Sequence, residues 1–86
     1  MIEIRLFGDL RRFAENPAVT AESIAQVTME PGDTVADVLQ RLGIDLEQEV
    51  GNIFVNGRYH YTAREMSAQG IERLGVFPKN MAMLYV

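Results

Sequence analysis

Gly32-Asp33-Thr34-Val35-Ala36-Asp37-Val38-Leu39-Gln40-Arg41-Leu42-Gly43-Ile44 is the stretch from which the fold is read. Thr34 is a helix-capping residue type, and Asp37, three positions on, can reach back to its amide to complete a capping box. Val35, Val38, Leu39 and Leu42 recur at i, i+3, i+4 and i+7, which is one apolar stripe along a helix. Gly43 falls where the chain must turn left-handed, and Ile44 follows as the apolar residue that packs back. Start, face and stop agree, so the spacing predicts one amphipathic helix over this stretch.

Working outward from that helix, the chain alternates with period two. Ile2, Ile4 and Leu6 alternate with Glu3 and Arg5, the pattern of a strand with one solvated face. Gly8 ends it, and Asp9 to Ala14 reads as one helical turn with Leu10, Phe13 and Ala14 on one side. Asn16-Pro17-Ala18 breaks the chain. A second strand is predicted near Ser23 to Met29, with Ala25, Val27 and Met29 on one face. The connection to the first strand suits an antiparallel hairpin with a decorated loop. Glu30-Pro31-Gly32-Asp33 is a turn.

Beyond the helix, Asp45 to Val50 reads as a second short turn and Ile53-Phe54-Val55 as a strand. Asn56-Gly57 is the two-residue hairpin signal, since both positions tolerate positive φ. Arg58-Tyr59-His60-Tyr61 returns antiparallel. Thr62 to Gly70 is loop or one irregular helical turn. Arg73-Leu74-Gly75-Val76-Phe77 is a further strand stopped by Pro78, and Met81 to Val86 is an apolar tail. The order predicts an α+β class: a β-grasp roll, a mixed four- to five-stranded sheet packed on one main helix, as a single domain over residues 1–86. The first and last strands are expected side by side at the sheet centre.

Composition narrows the function classes. The 86 residues contain no cysteine, so no disulfide, thiolate nucleophile or zinc knuckle is expected. Twelve acids against eight bases give a net charge of −4, which argues against a nucleic-acid or anionic-membrane binder. No apolar run approaches the length of about 18–20 residues that a membrane helix needs. The opening residues are not a signal peptide, so a cytoplasmic location is expected. Gly8-Asp9 and Gly32-Asp33 are isolated turns without phosphate-loop spacing, and Ser23 and Ser67 have no evident histidine partner. The chain is expected not to be an enzyme, and at most a carrier or accessory subunit of one.

Taken in order, Ile2-Glu3-Ile4-Arg5-Leu6-Phe7, Gly32-Asp33-Thr34-Val35-Ala36-Asp37-Val38-Leu39, Ile53-Phe54-Val55-Asn56-Gly57-Arg58 and Leu74-Gly75-Val76-Phe77-Pro78 resemble the MoaD/ThiS family of ubiquitin-like (β-grasp) sulfur carrier proteins. The resemblance spans nearly the whole chain. It implies membership of a sulfur-carrier pathway, in molybdopterin-type cofactor or thiamine biosynthesis. It also implies docking to an adenylating enzyme or a synthase large subunit. In that family a flexible tail ends in Gly-Gly, and its last carboxylate becomes a thiocarboxylate. Glycine suits such a tail because a chain without Cβ atoms can thread a narrow channel. Here the two glycines would fall at Ala82 and Met83, with Leu84, Tyr85 and Val86 following, and no glycine occurs after Gly75. Docking is therefore expected ahead of thiocarboxylate chemistry at Val86, the C-terminal carrier position. The alternative is a stand-alone β-grasp interaction module without carrier activity.

On this analogy Phe54, Val76, Phe77, Pro78, Met81, Met83 and Tyr85 are the partner-binding candidates. The apolar tail either docks to a partner or packs on its own domain. His60 is the one histidine, and with no cysteine beside it reads as a surface residue of the hairpin rather than a metal ligand. No metal, cofactor, nucleic acid or membrane is expected as a ligand. Asp33 and Asp37 read as capping carboxylates at the helix start, Glu47 and Glu49 as solvated. Arg58 is placed where it could share a face with Arg5 or Arg73.

Overall fold

In the computed structural model, which describes residues 1–14 and 23–79, the capped stretch forms helix α1, Val35–Arg41. The Asp37 amide donates to Thr34 Oγ1 at 3.2 Å and the Thr34 amide donates to Asp37 Oδ2 at 2.9 Å, so the capping box is complete. At the other end Gly43, at φ +95°, donates its amide to the Gln40 carbonyl at 2.9 Å. The Ile44 amide donates to Leu39 at 3.4 Å, and both side chains are buried. This is the paired bonding of a Schellman stop. Val35, Val38 and Leu39 are wholly buried, whereas Leu42, the C-cap, is only half-buried.

The strands are β1 (Ile2–Leu6), β2 (Ile24–Val27), β3 (Val50–Val55), β4 (Arg58–Tyr59) and β5 (Arg73–Pro78). They form one five-stranded sheet in the order β2-β1-β5-β3-β4. β1 and β5 run parallel at its centre, and every other pair is antiparallel. Alternation then decides the faces. Ile2, Ile4, Leu6, Leu74 and Val76 turn to α1, and Glu3, Arg5, Arg73 and Phe77 turn away. A short helix α2 (Leu46–Glu49) and 3-10 turns at Gly8–Phe13 and Ala63–Glu65 close the ends of the core with Leu46, Leu10 and Ala63.

The strand predicted from Ile53 begins earlier, at Val50, because a register shift between Val50 and Ile53 lets β3 reach Pro78 of β5. Asn56 and Gly57 carry φ of 49° and 85°, as the hairpin signal requires. The Asn56 side chain does more than turn the chain. Its Oδ1 accepts the amides of Glu72 and Arg73 at 3.0 and 3.1 Å, which locks the hairpin tip to the start of β5.

Several acids are structural in ways the sequence did not show. Asp33 is not a cap but an ion-pair partner. Arg41 donates to its two oxygens at 2.8 and 3.1 Å and to the Thr28 carbonyl at 3.0 Å. The Glu30 amide adds a bond to Asp33 at 2.8 Å. The turn after β2 is thus clamped to the last turn of α1. Glu49, expected to be solvated, instead pairs with Arg12 and accepts the Asp45 amide. Asp45 caps α2 through the Gln48 amide. Asn16-Pro17-Ala18, Met81, Met83, Tyr85 and Val86 lie outside the described residues.

Bonding from Arg41, and then from the Glu30 amide, holds the Asp33 carboxyl below its ordinary value of 3.8. Folding therefore favours its ionised form. That contribution is complete above the unfolded value and is lost as pH falls through the lowered folded one. Asp33→Asn should unfold at a lower urea concentration than the parent at neutral pH. The two curves should converge as pH falls well below 3.8. Thr34→Ala, which removes the cap acceptor, should cost about 1 kcal/mol in the same urea titrations.

Candidate docking face

The sheet has two faces and α1 covers one. On the other, the β-pairings align Arg5, Gly75, Phe54 and Tyr59 across β1, β5, β3 and β4. Phe7 and Phe77 follow the paired Leu6 and Val76 and point the same way. Phe7 lies face to face on Phe77, with ring centroids 4.3 Å apart and planes 4° from parallel. Phe54 tilts against Phe77 at 5.5 Å, and Tyr59 against Phe54 at 5.7 Å. The result is a continuous aromatic row from β1 to β4, with the Phe rings half-buried and Tyr59 51% exposed. Such pairs add about 0.5–1.5 kcal/mol each beyond the area they bury.

Beside the row lies a shallow cavity of about 190 Å³. Gly75 is its floor, Phe7, Phe54 and Phe77 form its apolar wall, and Arg5 and Arg73 form its charged rim. The Arg5 side chain bonds Glu3 at 3.0 Å. No carboxylate stands within ion-pair distance of Arg73 among the described residues. A second cavity, about 250 Å³, opens between Asp9, Leu10, Arg12, Gln48 and Glu49 near Pro78 and Lys79, but the Arg12–Glu49 pair spans it.

Of the residues expected to bind a partner, the structure brings Phe54 and Phe77 together on the outer face. It turns Val76 and Pro78 the other way. Both are buried, because the alternation that sends Phe77 outward sends its neighbours into the core. Their side chains therefore do not belong to the outer face. Arg58 pairs with Val55 and so stands on the opposite face from Arg5 and Arg73. Phe7 and Tyr59 join the row although neither was singled out for binding. The signal for Phe7 was present, since a residue after inward Leu6 must point outward. Gly75 was hidden because a glycine carries no pattern of its own.

His60 is half-buried at the end of β4, with its amide donating to Ile53. No group of acids and histidine that could hold a metal occurs among the described residues. No helix among them is long and apolar enough to cross a membrane.

A double-mutant cycle over Phe7→Ala and Phe77→Ala, read by urea unfolding, should give a coupling of about 1 kcal/mol. Additive single effects would contradict the stacked pair. Val76→Ala, which empties part of the core, should cost about 2 kcal/mol by itself.

Comparison with known proteins agrees with this architecture. No curated protein and no solved structure matches the chain. The family described as Mut7-C ubiquitin matches residues 1–84, nearly the whole length. The chain therefore belongs to the Mut7-C ubiquitin family, as a small ubiquitin-like module.

Proposed function

We propose that this domain is a protein-docking module whose partner seats on the outer sheet face. The observation that carries this reading is the aromatic row of Phe7, Phe77, Phe54 and Tyr59, left uncovered by the domain's single main helix. Burying a large apolar side chain is worth about 1.5–3 kcal/mol. A partner that covered the row would gain that repeatedly without reshaping the sheet. Phenylalanine, tyrosine and arginine, the residues of this row and its border, are also enriched at protein interfaces. On this reading the domain is not itself an enzyme. It works in the cytoplasm as a carrier or accessory subunit.

The MoaD/ThiS resemblance supports a finer version, in which the partner is an adenylating enzyme or a synthase large subunit of a sulfur-carrier pathway. Docking on the sheet face is common to both versions. The carrier step itself is disfavoured by the tail, because Ala82 and Met83 stand where glycines would be needed.

Photo-crosslinking from inside the native host tests the docking reading. A benzophenone side chain at position 59 should capture one defined partner protein, and the same group at Gln40, exposed on α1, should not. Equal capture from both positions, or capture only from Gln40, would refute it. The carrier version is tested separately. With ATP, a sulfur donor and a cognate adenylating enzyme, mass spectrometry should find no sulfur gained at the terminal carboxylate; a gain would establish carrier chemistry.

A further inference from the structure

Gly75 is an unexpected residue for its position. It sits inside β5, the strand that hydrogen-bonds to both β1 and β3 at the sheet centre. Glycine weakens a strand interior, where it loses more freedom than other residues and packs nothing. The fold does not require it there. Gly8, Gly32, Gly43, Gly57 and Gly70 have positive φ, and Gly75 does not. Nor would a first side-chain carbon clash. A Cβ at this position would lie 3.5 Å from the Phe54 Cβ and 3.8 Å from Phe7 Cε2, both ordinary contacts. What the missing side chain does provide is the floor of the cavity between the aromatic wall and the arginine rim. A strand glycine often marks a bulge, a bend or a place where a ligand or another chain comes close, and the register shift of this sheet lies between Val50 and Ile53 rather than at the Phe54–Gly75 pair.

We infer that this groove takes one apolar side chain of the partner, seated over Gly75, with an adjacent carboxylate of the same segment bonded to Arg73. The inference rests on the docking reading above and adds the chemistry of what docks. A cavity of about 190 Å³ walled by Phe7, Phe54 and Phe77 suits a leucine- or phenylalanine-sized group. The charge argument comes from Arg73. Its guanidinium lies over Gly57, where a Cβ would be 3.3 Å from its Nη2, and no carboxylate of the described residues stands within ion-pair distance of it. Glu3 shares the outer face and stands opposite Arg73 in register, but its carboxylate is bonded to Arg5 at 3.0 Å, and the exposed acids Asp37, Asp45 and Glu47 belong to the α1 and α2 segments. A chain of net charge −4 thus keeps an arginine rim beside its apolar groove, and an acidic segment complements that rim where a basic one is repelled. Single-stranded nucleic acid fits less well. A base needs an open ring face, and Phe77 has Phe7 stacked on it and Phe54 tilted against it.

The test is an NMR titration of the isotope-labelled full chain with two short peptides, each with a central leucine, one flanked by aspartate and glutamate and the other by lysines. The acidic peptide should shift the amides of Phe54, Arg73, Gly75 and Phe77, and the lysine peptide should bind at least about tenfold more weakly. Gly75→Val fills the groove with a residue that strands favour, so it should keep or raise the Tm while weakening the acidic peptide by about tenfold or more. Arg73→Gln should weaken the acidic peptide and narrow its advantage over the lysine peptide. Equal binding of both peptides, undiminished binding by folded Gly75→Val, or no shift in these amides would overturn the inference. So would preferential binding of a single-stranded oligouridylate at the same amides. Crosslinking from position 59 that survives Gly75→Val unchanged would leave the docking reading standing and remove this one alone.

Discussion

One helix cannot cover both faces of a five-stranded sheet, and the rest of this molecule follows from that limit. Val35, Val38 and Leu39 of α1 fill the inner side against Ile4, Leu74 and Val76, all wholly buried. The parallel pairing of β1 with β5 places two strands far apart in the sequence under the helix, so they meet in one core. Burial of apolar area is what drives this closure, and a chain this short has little to spare. Among the described residues, the outer face is filled by the sheet's own side chains.

The way it is filled is informative. Phe7, Phe77, Phe54 and Tyr59 brace each other across the strands, so the row is ordered by its own packing. Preorganised side chains lose less freedom when a partner covers them. Gly75 runs against this economy. A glycine in a strand interior costs about 0.5–1 kcal/mol relative to alanine. Here it opens a groove within a face that is otherwise well packed. Net charge conceals a similar local contrast. The whole chain is acidic, yet the rim of this groove is formed by Arg5 and Arg73.

Much of the fold was legible because its signals are local. Thr34 and Asp37 form the capping box, Gly43 and Ile44 form the stop, and Asn56-Gly57 turns the hairpin, each through contacts a few residues apart. Period two in Ile2-Glu3-Ile4-Arg5-Leu6 assigned the strand faces correctly. The same rule applied to Arg73–Pro78 puts Phe77 outward and Val76 and Pro78 inward, so a contiguous docking segment could not survive strand geometry. The start of β3 was missed because Val50 pairs with Pro78 only across a register shift. Arg41 with Asp33 and Arg12 with Glu49 were also out of reach, because nothing in a charge's neighbours says which distant charge it will meet.

By itself, then, the sequence determined the elements: their order, their caps, their turns and which side of each is apolar. These depend on backbone conformation and on side-chain periodicity, and both act over a few residues. Tertiary structure alone decided that β5 lies between β1 and β3, and through that pairing brought Phe7, Phe54, Gly75 and Arg73 from three strands to one groove. A surface assembled across strands is fixed by pairing and register. Those are set by the whole core closing at once.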